Sequence, residues 1–201
     1  MATPTRWATD TAEGHSERYV EHFRGLASQG ADLGGEARLV DAMVRPGSHV
    51  LDAGCGPGRV GAVLHARGHR VVGVDADPVL VAAAREDHEG PLWLVADLAD
   101  MDLGPLGVTD PFDAAVVAGN VMAFVAPGSE TDVLRRIRAH LVPDGVVVVG
   151  FGADRGYALD DFDVHLHAAG FVLEHRFATW DLRPWSPAAD FAVSVLRRSG
   201  A

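Results

Sequence analysis

The sequence contains no lysine, so its positive charge comes from arginine alone. It has 17 basic residues against 28 acidic ones, and its formal net charge at pH 7 is −11. A surface of this sign repels phosphate backbones and disfavours a nucleic acid as partner or substrate. A local basic patch would be compatible with the overall charge, so the composition weighs against nucleic acid without excluding it.

Cysteine and long apolar runs are also scarce. Cys55 is the only cysteine, which excludes an internal disulfide and favours a reducing compartment. The longest apolar run, residues 146–153 with its glycines, is far shorter than the roughly 20 residues that span a membrane. The first ten residues contain no apolar segment typical of a secretory signal. We therefore expect a cytoplasmic protein with no membrane association.

Histidine is abundant, but its spacing does not favour a metal site. His165 and His167 stand two apart, so on a helix they would point to different sides. His65 and His69 have a helical spacing of four, but Gly68 would interrupt that helix, and no third ligand is evident. We expect no metal.

The chain is organised around residues 50–60, which read VLDAGCGPGRV. An apolar strand ends at Asp52, and three glycines follow at alternate positions before a helical pattern begins. Glycine allows positive φ and the close approach of a ligand to bare backbone, and a helix N-terminus presents free N–H groups. This order of strand, glycine turn and helix is typical of a site for a nucleotide-like ligand at the carboxyl end of a parallel strand.

Two classes of nucleotide compete for this motif. Residues 56–61 match the dinucleotide pattern G-x-G-x-x-G and would indicate an NAD-dependent oxidoreductase. Asp52 argues against it, because a carboxylate at the strand end would repel a pyrophosphate. A chain without lysine also has no Tyr–Lys catalytic pair, although a histidine-based arrangement stays open. We keep this class as the less favoured alternative.

Two further strands end in an acid. An apolar run over residues 70–75 ends at Asp75, and another over residues 91–97 ends at Asp97. Asp75 stands 21 residues after Gly54, about where a doubly wound fold places its ribose-binding carboxylate. Strand-end aspartates also simply cap the next helix. Three of them behind one glycine turn favour instead a negatively charged site for a ligand that carries positive charge.

These residues resemble the motifs of class I S-adenosylmethionine-dependent methyltransferases. Residues 52–58 look like the first motif of the family, and Asp75 and Asp97 resemble its ribose-binding and adenine-binding acids. Residues 112–120 resemble the fourth strand, whose end faces the transferred methyl group. Residues 141–150 resemble the turn into the fifth strand, and all the motifs occur in family order.

The resemblance, which covers roughly residues 36–198, implies an α/β fold. Its sheet would be a single doubly wound, mostly parallel sheet of seven strands, with helices on both faces and an antiparallel C-terminal hairpin strand. The hairpin is also expected from the chain itself, since strands at 171–180 and 190–197 leave no room for a crossover helix between them.

We expect one methyltransferase domain over residues 1–201, with an N-terminal helical cap over 1–46 and a Rossmann-like core over 47–201. The first 14 residues are polar and are expected to be loose. The cap and the C-terminal hairpin would cover the acceptor. The residues predicted to face a substrate are Tyr19, His22, Trp180, Arg183 and Trp185, although each also suits a structural or exposed role.

The resemblance implies S-adenosyl-L-methionine as cofactor and S-adenosyl-L-homocysteine as product. The implied cofactor-binding residues are Asp52, Gly54, Cys55, Gly56, Asp75, Ala76, Asp97, Leu98, Gly119 and Asn120. The glycine turn would follow the amino acid arm with Asp52 near its ammonium, Asp75 would bind the ribose, and Asp97 and Leu98 would bind the adenine.

The implied function is methyl transfer to a small-molecule acceptor by a monomer or homodimer. Residues 120–123 read NVMA rather than an NPPY-like motif, which disfavours methylation of a nucleobase amine. No residue stands out as a general base, so no catalytic residue is assigned. A non-catalytic module that binds S-adenosylmethionine is the main alternative.

Overall fold

The computed structural model, which describes residues 3–153 and 155–199, contains one sheet of seven strands in these residues. The strands are β1 (His49–Ala53), β2 (Arg70–Asp75), β3 (Leu92–Val95), β4 (Phe112–Val117), β5 (Leu141–Gly152), β6 (Phe171–Phe177) and β7 (Phe191–Arg198). Their order is β3-β2-β1-β4-β5-β7-β6, and β7 runs antiparallel to both of its neighbours. The expected mostly parallel sheet with an antiparallel C-terminal hairpin is confirmed.

Helices cover both faces of this sheet. They are α1 (Arg6–Asp10), α2 (His15–Ser28), α3 (Gly35–Met43), α4 (Arg59–Ala66), α5 (Pro78–Asp87), α6 (Val121–Phe124), α7 (Glu130–Ala139) and α8 (Leu159–Ala168), with a 3-10 turn at Gly104–Leu106. On one face, Val40 of α3 and Leu64 of α4 belong to a buried core cluster, and on the other, Ile137 of α7 and Phe162 of α8 belong to a second one.

The central strands are buried on both sides. In β4, Ala114 belongs to the core cluster of α3 and α4, whereas the next residue, Ala115, belongs to that of α7 and α8. Successive side chains of a strand point to opposite faces, so a strand covered on both faces is apolar along its whole length. Residues 146–149 of β5 are such a run.

The start of α5 is built from residue types that favour a helix N-terminus. Asp77 caps the helix, because its Oδ1 accepts a hydrogen bond from the Val79 N–H (N···O 2.8 Å), and Pro78 is the first helical residue. This cap fixes the chain directly after the end of β2.

Two local expectations were wrong. The first 14 residues are not loose throughout, since they contain α1, whose N-cap is Thr5. A five-residue helix is not stable alone, so tertiary contacts stabilise α1. It is also too short for a periodic sequence pattern that would predict it. The same is true of α6. Strand β6 ends at Phe177, three residues early, because the chain turns between Thr179 and Leu182, which has φ +66°.

Two absences concern the described residues alone. None of their helices has the length and apolar character to cross a bilayer. No three or more of their His, Cys, Asp or Glu side chains group closely enough to hold a metal ion, and the expectation of no metal stays a prediction.

Candidate functional site

A cavity of about 550 Å³ lies at the carboxyl ends of β1 to β4. Its floor is formed by the segments that follow these strands, and its roof by residues 5–19, which comprise α1, the α1–α2 loop and the first turn of α2. The predicted cofactor residues that line it are Asp52, Gly54, Cys55, Gly56, Asp75, Ala76, Asp97, Leu98 and Gly119. This edge is where open α/β sheets bind ligands.

The glycine turn is tightly packed and joined to β2. Gly54 has φ +78°, and a Cβ there would collide with the Val121 side chain. The N–H of Gly56 donates to Oδ2 of Asp75 (N···O 2.9 Å). The turn therefore needs glycine for its backbone conformation and for space, and its position is set by a carboxylate of the neighbouring strand end.

Asp52 lies beneath the turn and is 2% exposed. Its Oδ2 accepts a hydrogen bond from the N–H of Gly61 in α4 (N···O 2.8 Å). Burial raises the pKa of Asp52 to about 7, against the lowering effects of this hydrogen bond and of Arg59. The carboxyl group therefore titrates near neutral pH, and a cation in the cavity would favour its ionised form.

Asp75 is held by two backbone groups. Oδ1 accepts from the N–H of Asp77 (N···O 2.9 Å) and Oδ2 accepts from the N–H of Gly56 (N···O 2.9 Å). Burial raises the pKa of Asp75 despite these bonds. Each carboxylate oxygen has two lone pairs, so both oxygens keep capacity for a further donor, such as a pair of adjacent hydroxyl groups.

Asp97 and Leu98 follow β3 on the same side of the cavity. Oδ1 of Asp97 accepts from the N–H of Ala99 (N···O 2.9 Å), which forms a local turn and fixes the side chain. Leu98 is buried in the core cluster beside β4. This corner combines an acceptor with an apolar surface.

Cys55 has a structural position. Its side chain is buried with Val81, Ala84 and Trp93 under the turn. Burial raises the pKa of the Cys55 thiol well above its usual value, so the reactive thiolate is disfavoured. What Cys55 offers the cavity is backbone.

Asn120 is the predicted cofactor residue that does not line the cavity. Its Oδ1 accepts a hydrogen bond from the N–H of Gly152 in β5 (N···O 2.8 Å), and its φ is +66°. The side chain therefore joins the end of β4 to β5, while the neighbouring Gly119 faces the cavity.

Aromatic rings form much of the roof. The Trp7 ring meets those of His15, Tyr19 and Phe124 edge-on, with centroid distances of 4.7, 5.3 and 5.4 Å. A Cβ on Gly119 would lie 3.7 Å from the Tyr19 hydroxyl, so this phenol stands over the end of β4. Burial raises the pKa of Tyr19, which keeps the hydroxyl protonated.

Arg59 is the one arginine that lines the cavity among the described residues, and it is already paired. Its Nη1 donates to Glu36 Oε2 (2.8 Å) and to the Leu33 carbonyl (3.1 Å), and its Nη2 donates to Glu36 Oε1. The carboxylates that line the same cavity are Glu13, Glu17, Asp52, Asp75, Asp77 and Asp97. The cavity is therefore negatively charged and suits a ligand with positive charge.

A family model described as a methyltransferase domain matches residues 50–145, the stretch that holds the floor of the cavity. The chain is also 41% identical to the crystal structure of a TehB-like S-adenosylmethionine-dependent methyltransferase from Corynebacterium glutamicum. That likeness has a TM-score of 0.87 and covers 94% of this chain and 100% of the other. The chain belongs to the S-adenosylmethionine-dependent methyltransferase family.

Curated relatives of this methyltransferase carry diverse names. It is 30% identical over 137 residues to a carboxy-S-adenosyl-L-methionine synthase from Chromohalobacter salexigens, covering 63% of this chain and 48% of the relative. It is 27% identical over 191 residues to a malonyl-[acyl-carrier protein] O-methyltransferase from Salmonella typhimurium, covering 90% of this chain and 71% of the relative. The chain thus spans about half the length of the first relative. S-adenosylmethionine is the cofactor that the family uses.

Of the predicted substrate residues of the methyltransferase, Tyr19 lines the cavity and four lie outside it. His22 is exposed and contacts the Phe23 ring. Trp180 packs on the backbone of Gly150, on the face of the sheet covered by α3.

The other two belong to the β6–β7 turn. Arg183 is exposed and pairs with Asp181 (N···O 3.6 Å). Trp185 lies against Arg176, whose guanidinium carbon is 5.6 Å from the ring centroid. The hairpin therefore does not cover this cavity, contrary to expectation.

The roof contains cavity residues that the sequence did not single out, above all Trp7, His15 and Ser16. They lie in or beside a segment expected to be loose. The available signal was Thr5, a residue type that caps helices, two positions before an aromatic residue. No helical pattern of apolar residues follows it. Asp77 followed by Pro78 is a typical helix start, but the contacts of Asp77 with the roof depend on the tertiary fold.

Proposed function

We propose that this chain transfers the methyl group of S-adenosylmethionine to a small-molecule acceptor. The roofed cavity is the observation that carries the proposal. Trp7, His15 and Tyr19 cover the carboxyl end of the sheet, and a volume of about 550 Å³ falls in the range that small ligands occupy. A nucleic acid would need an open surface of positive charge, whereas this lining is acidic.

The residues present fit the family's cofactor. In the proposed binding mode, Asp75 accepts hydrogen bonds from the two ribose hydroxyls with the free lone pairs of its oxygens. Asp97 accepts from the adenine amine beside the Leu98 N–H. The backbone of residues 54–56 follows the amino acid arm, and Asp52 attracts its ammonium group.

Three other predicted residues have smaller roles in this binding mode. Ala76 borders the ribose. Gly119 borders the path from the sulfonium to the acceptor, where the absence of a side chain leaves room. Asn120 supports that path from outside the cavity through its hydrogen bond to Gly152.

The bound cofactor supplies a methyl group attached to a sulfonium, which is a good leaving group. The chain contributes binding, alignment and exclusion of water. Displacement requires the acceptor lone pair to approach the methyl carbon opposite the breaking C–S bond. The Tyr19 hydroxyl stands over Gly119, which borders that path in the proposed mode.

The charge of the cavity also bears on the acceptor. The guanidinium of Arg59 is committed to Glu36, and the other charged groups of the described lining are carboxylates. A carboxylate or phosphate on the acceptor would meet repulsion here. We therefore propose an acceptor without net negative charge, and take none of the relatives' substrates over to this chain.

A binding module without turnover would share the whole floor of the cavity and is the alternative that the test below addresses. The NAD-dependent oxidoreductase, the less favoured alternative of the sequence analysis, does not fit a chain of this methyltransferase family. A cytoplasmic location and a monomeric or homodimeric state are also predictions.

Calorimetric titration with S-adenosylhomocysteine, with NAD in parallel, tests the proposal. We expect micromolar binding of the former alone, followed by release of S-adenosylhomocysteine in a screen of neutral and cationic acceptors. Binding of NAD alone would contradict the proposed cofactor. Binding of S-adenosylhomocysteine without turnover on any acceptor would favour the binding module.

A further inference from the structure

Among the described residues, side-chain hydrogen bonds attach the roof to Asp77 of the floor, and the Trp7 and Tyr19 rings also pack against a small apolar cluster of Val20, Leu80 and Ala83. The indole Nε1 of Trp7 donates to Oδ2 of Asp77 (2.8 Å) and lies 3.2 Å from Ser16 Oγ. The hydroxyl of Ser16 donates to the same Oδ2. Two donors from both ends of the roof therefore converge on one carboxylate oxygen of the floor.

The second attachment involves backbone groups. One guanidinium nitrogen of Arg6 donates to the carbonyl of Gly156 (3.2 Å) and makes a long contact with that of Ala123 (3.5 Å). No residue of α1 is fully buried. A segment with so little buried surface belongs to the part of a protein that opens at low free-energy cost.

Asp77 is also connected to the floor beneath it. Its N–H donates to Oδ1 of Asp75, the proposed ribose acid, and its Oδ1 caps α5. Burial acts to raise the pKa of Asp77, but the hydrogen bonds from Ser16 and Trp7 outweigh it, and the pKa of Asp77 is lowered. The carboxylate is thus ionised at neutral pH and forms charge-assisted bonds with the roof.

We propose that Asp77 is a latch that keeps the roof closed over bound cofactor and so sets the rate of cofactor release. Asp77 acts as a positioning residue: it holds Trp7 and Ser16, and does not itself bind the cofactor. The cofactor enters and leaves while the roof is open. This inference rests on the cofactor placement of the proposed function.

Two variants test the latch, and a third variant serves as the control. Trp7→Phe removes the indole donor and keeps an aromatic ring, while Asp77→Asn weakens the acceptor and keeps a good helix cap. Trp185→Phe makes the same change as the first at a tryptophan outside the cavity. Release of radiolabelled S-adenosylhomocysteine is followed after addition of excess unlabelled compound.

We expect Trp7→Phe and Asp77→Asn each to accelerate release about tenfold, which corresponds to about 1.4 kcal/mol. The double variant should release little faster than Asp77→Asn alone, because both changes act on the bond between Trp7 and Asp77. Trp185→Phe should match the wild type. In the absence of ligand, the melting temperature of Asp77→Asn should stay within about 2 °C of the wild type, since the cap is retained.

Hydrogen exchange supplies a readout that a merely structural role would not move. S-adenosylhomocysteine should protect the amides of residues 5–19 in the wild type and in Trp185→Phe, and protect them much less in the two latch variants.

Each of the following results would overturn the inference. Equal release rates for Trp7→Phe and Trp185→Phe would exclude a role of the indole bond. Faster release in Trp7→Phe but not in Asp77→Asn would exclude Asp77 as its acceptor. No binding of S-adenosylhomocysteine by the wild type would overturn the proposed cofactor site and the latch together, whereas binding with unaltered release in the variants would overturn the latch alone.

Discussion

The floor of the cavity consists of strand ends whose side chains are fixed by backbone hydrogen bonds, whereas the roof is fixed mainly by contacts between side chains. Asp52 and Asp75 each accept from backbone N–H groups at 2.8–2.9 Å. Trp7 and Tyr19 are held mainly by ring contacts and by bonds to Asp77. The floor is therefore preorganised, whereas the proposed latch requires the roof to open.

The largest effect is expected from damage to the floor. Gly54→Ala places a Cβ against Val121 at a residue with φ +78°, and we expect it to lower the free energy of unfolding by about 3 kcal/mol. Gly128→Ala is the matched control, because φ is +85° but no heavy atom lies within 4 Å of the added Cβ. This control variant should lower the free energy of unfolding by about 1 kcal/mol. If urea denaturation gave equal losses of unfolding free energy for the two variants, the steric clash at Gly54 would be relieved without cost.

A smaller effect is expected from the proposed ribose acid. Asp75→Ala should weaken S-adenosylhomocysteine binding by about 1–3 kcal/mol, the usual cost of losing charged hydrogen bonds. Asp100→Ala removes an exposed acid of the loop after β3 and should leave the affinity unchanged. Calorimetry measures both, and an unaltered dissociation constant for Asp75→Ala would contradict the assignment.

The affinity for the cofactor should depend on pH through Asp52, the buried acid of the floor, and this distinguishes Asp52 from the other acids. Because the pKa of Asp52 is raised to about 7, the group is mostly protonated at pH 6 and mostly ionised at pH 7.5. The ammonium of S-adenosylmethionine favours the ionised form, so affinity should rise with pH over this range, by up to about eightfold.

Asp52→Asn keeps an acceptor for the Gly61 N–H and should lose this pH-dependent rise. Titrations in buffers of different ionisation enthalpy should also detect a proton released on binding near pH 7 in the wild type. A flat affinity profile in the wild type would contradict the role of Asp52 beside the ammonium.

The smallest effect is expected in the roof, and the two tyrosines of the chain provide a matched pair. Tyr19→Phe should weaken S-adenosylhomocysteine binding about two- to tenfold without altering stability, since it removes one neutral hydrogen bond between the Tyr19 hydroxyl and the ligand in the cavity, worth about 0.5–1.5 kcal/mol. Tyr157→Phe loses the bond between its hydroxyl and His165 Nδ1 (2.7 Å) and should lower stability by about 1 kcal/mol with unchanged affinity. The same response from both variants would remove the distinction between roof and core.

The floor was predictable from the sequence because its chemistry is local. The glycines need positive φ, and the acids stand where the parallel strands end, so spacing along the chain fixes their meeting point. The α5 cap at Asp77 and the hairpin of β6 and β7 follow from equally local rules.

The roof was not predictable, because its structure depends on partners distant in sequence. Trp7 becomes a cavity residue through Asp77, 70 positions away, and α1 is too short to show periodicity. Trp180 illustrates the reverse error. Its place near a turn indicated a substrate contact, but the ring fills the space above Gly150, where a strand glycine admits close packing.

Strand β7 lies between β5 and β6, although it follows both along the chain. During synthesis, β6 leaves the ribosome before β7, the strand with which it pairs. The apolar edge of β5 also stays unpaired until residues 191–198 have emerged. An unpaired apolar edge is a template for association with other chains. The nascent chain therefore presents an edge open to association with other chains in the interval between the synthesis of β5 and that of β7.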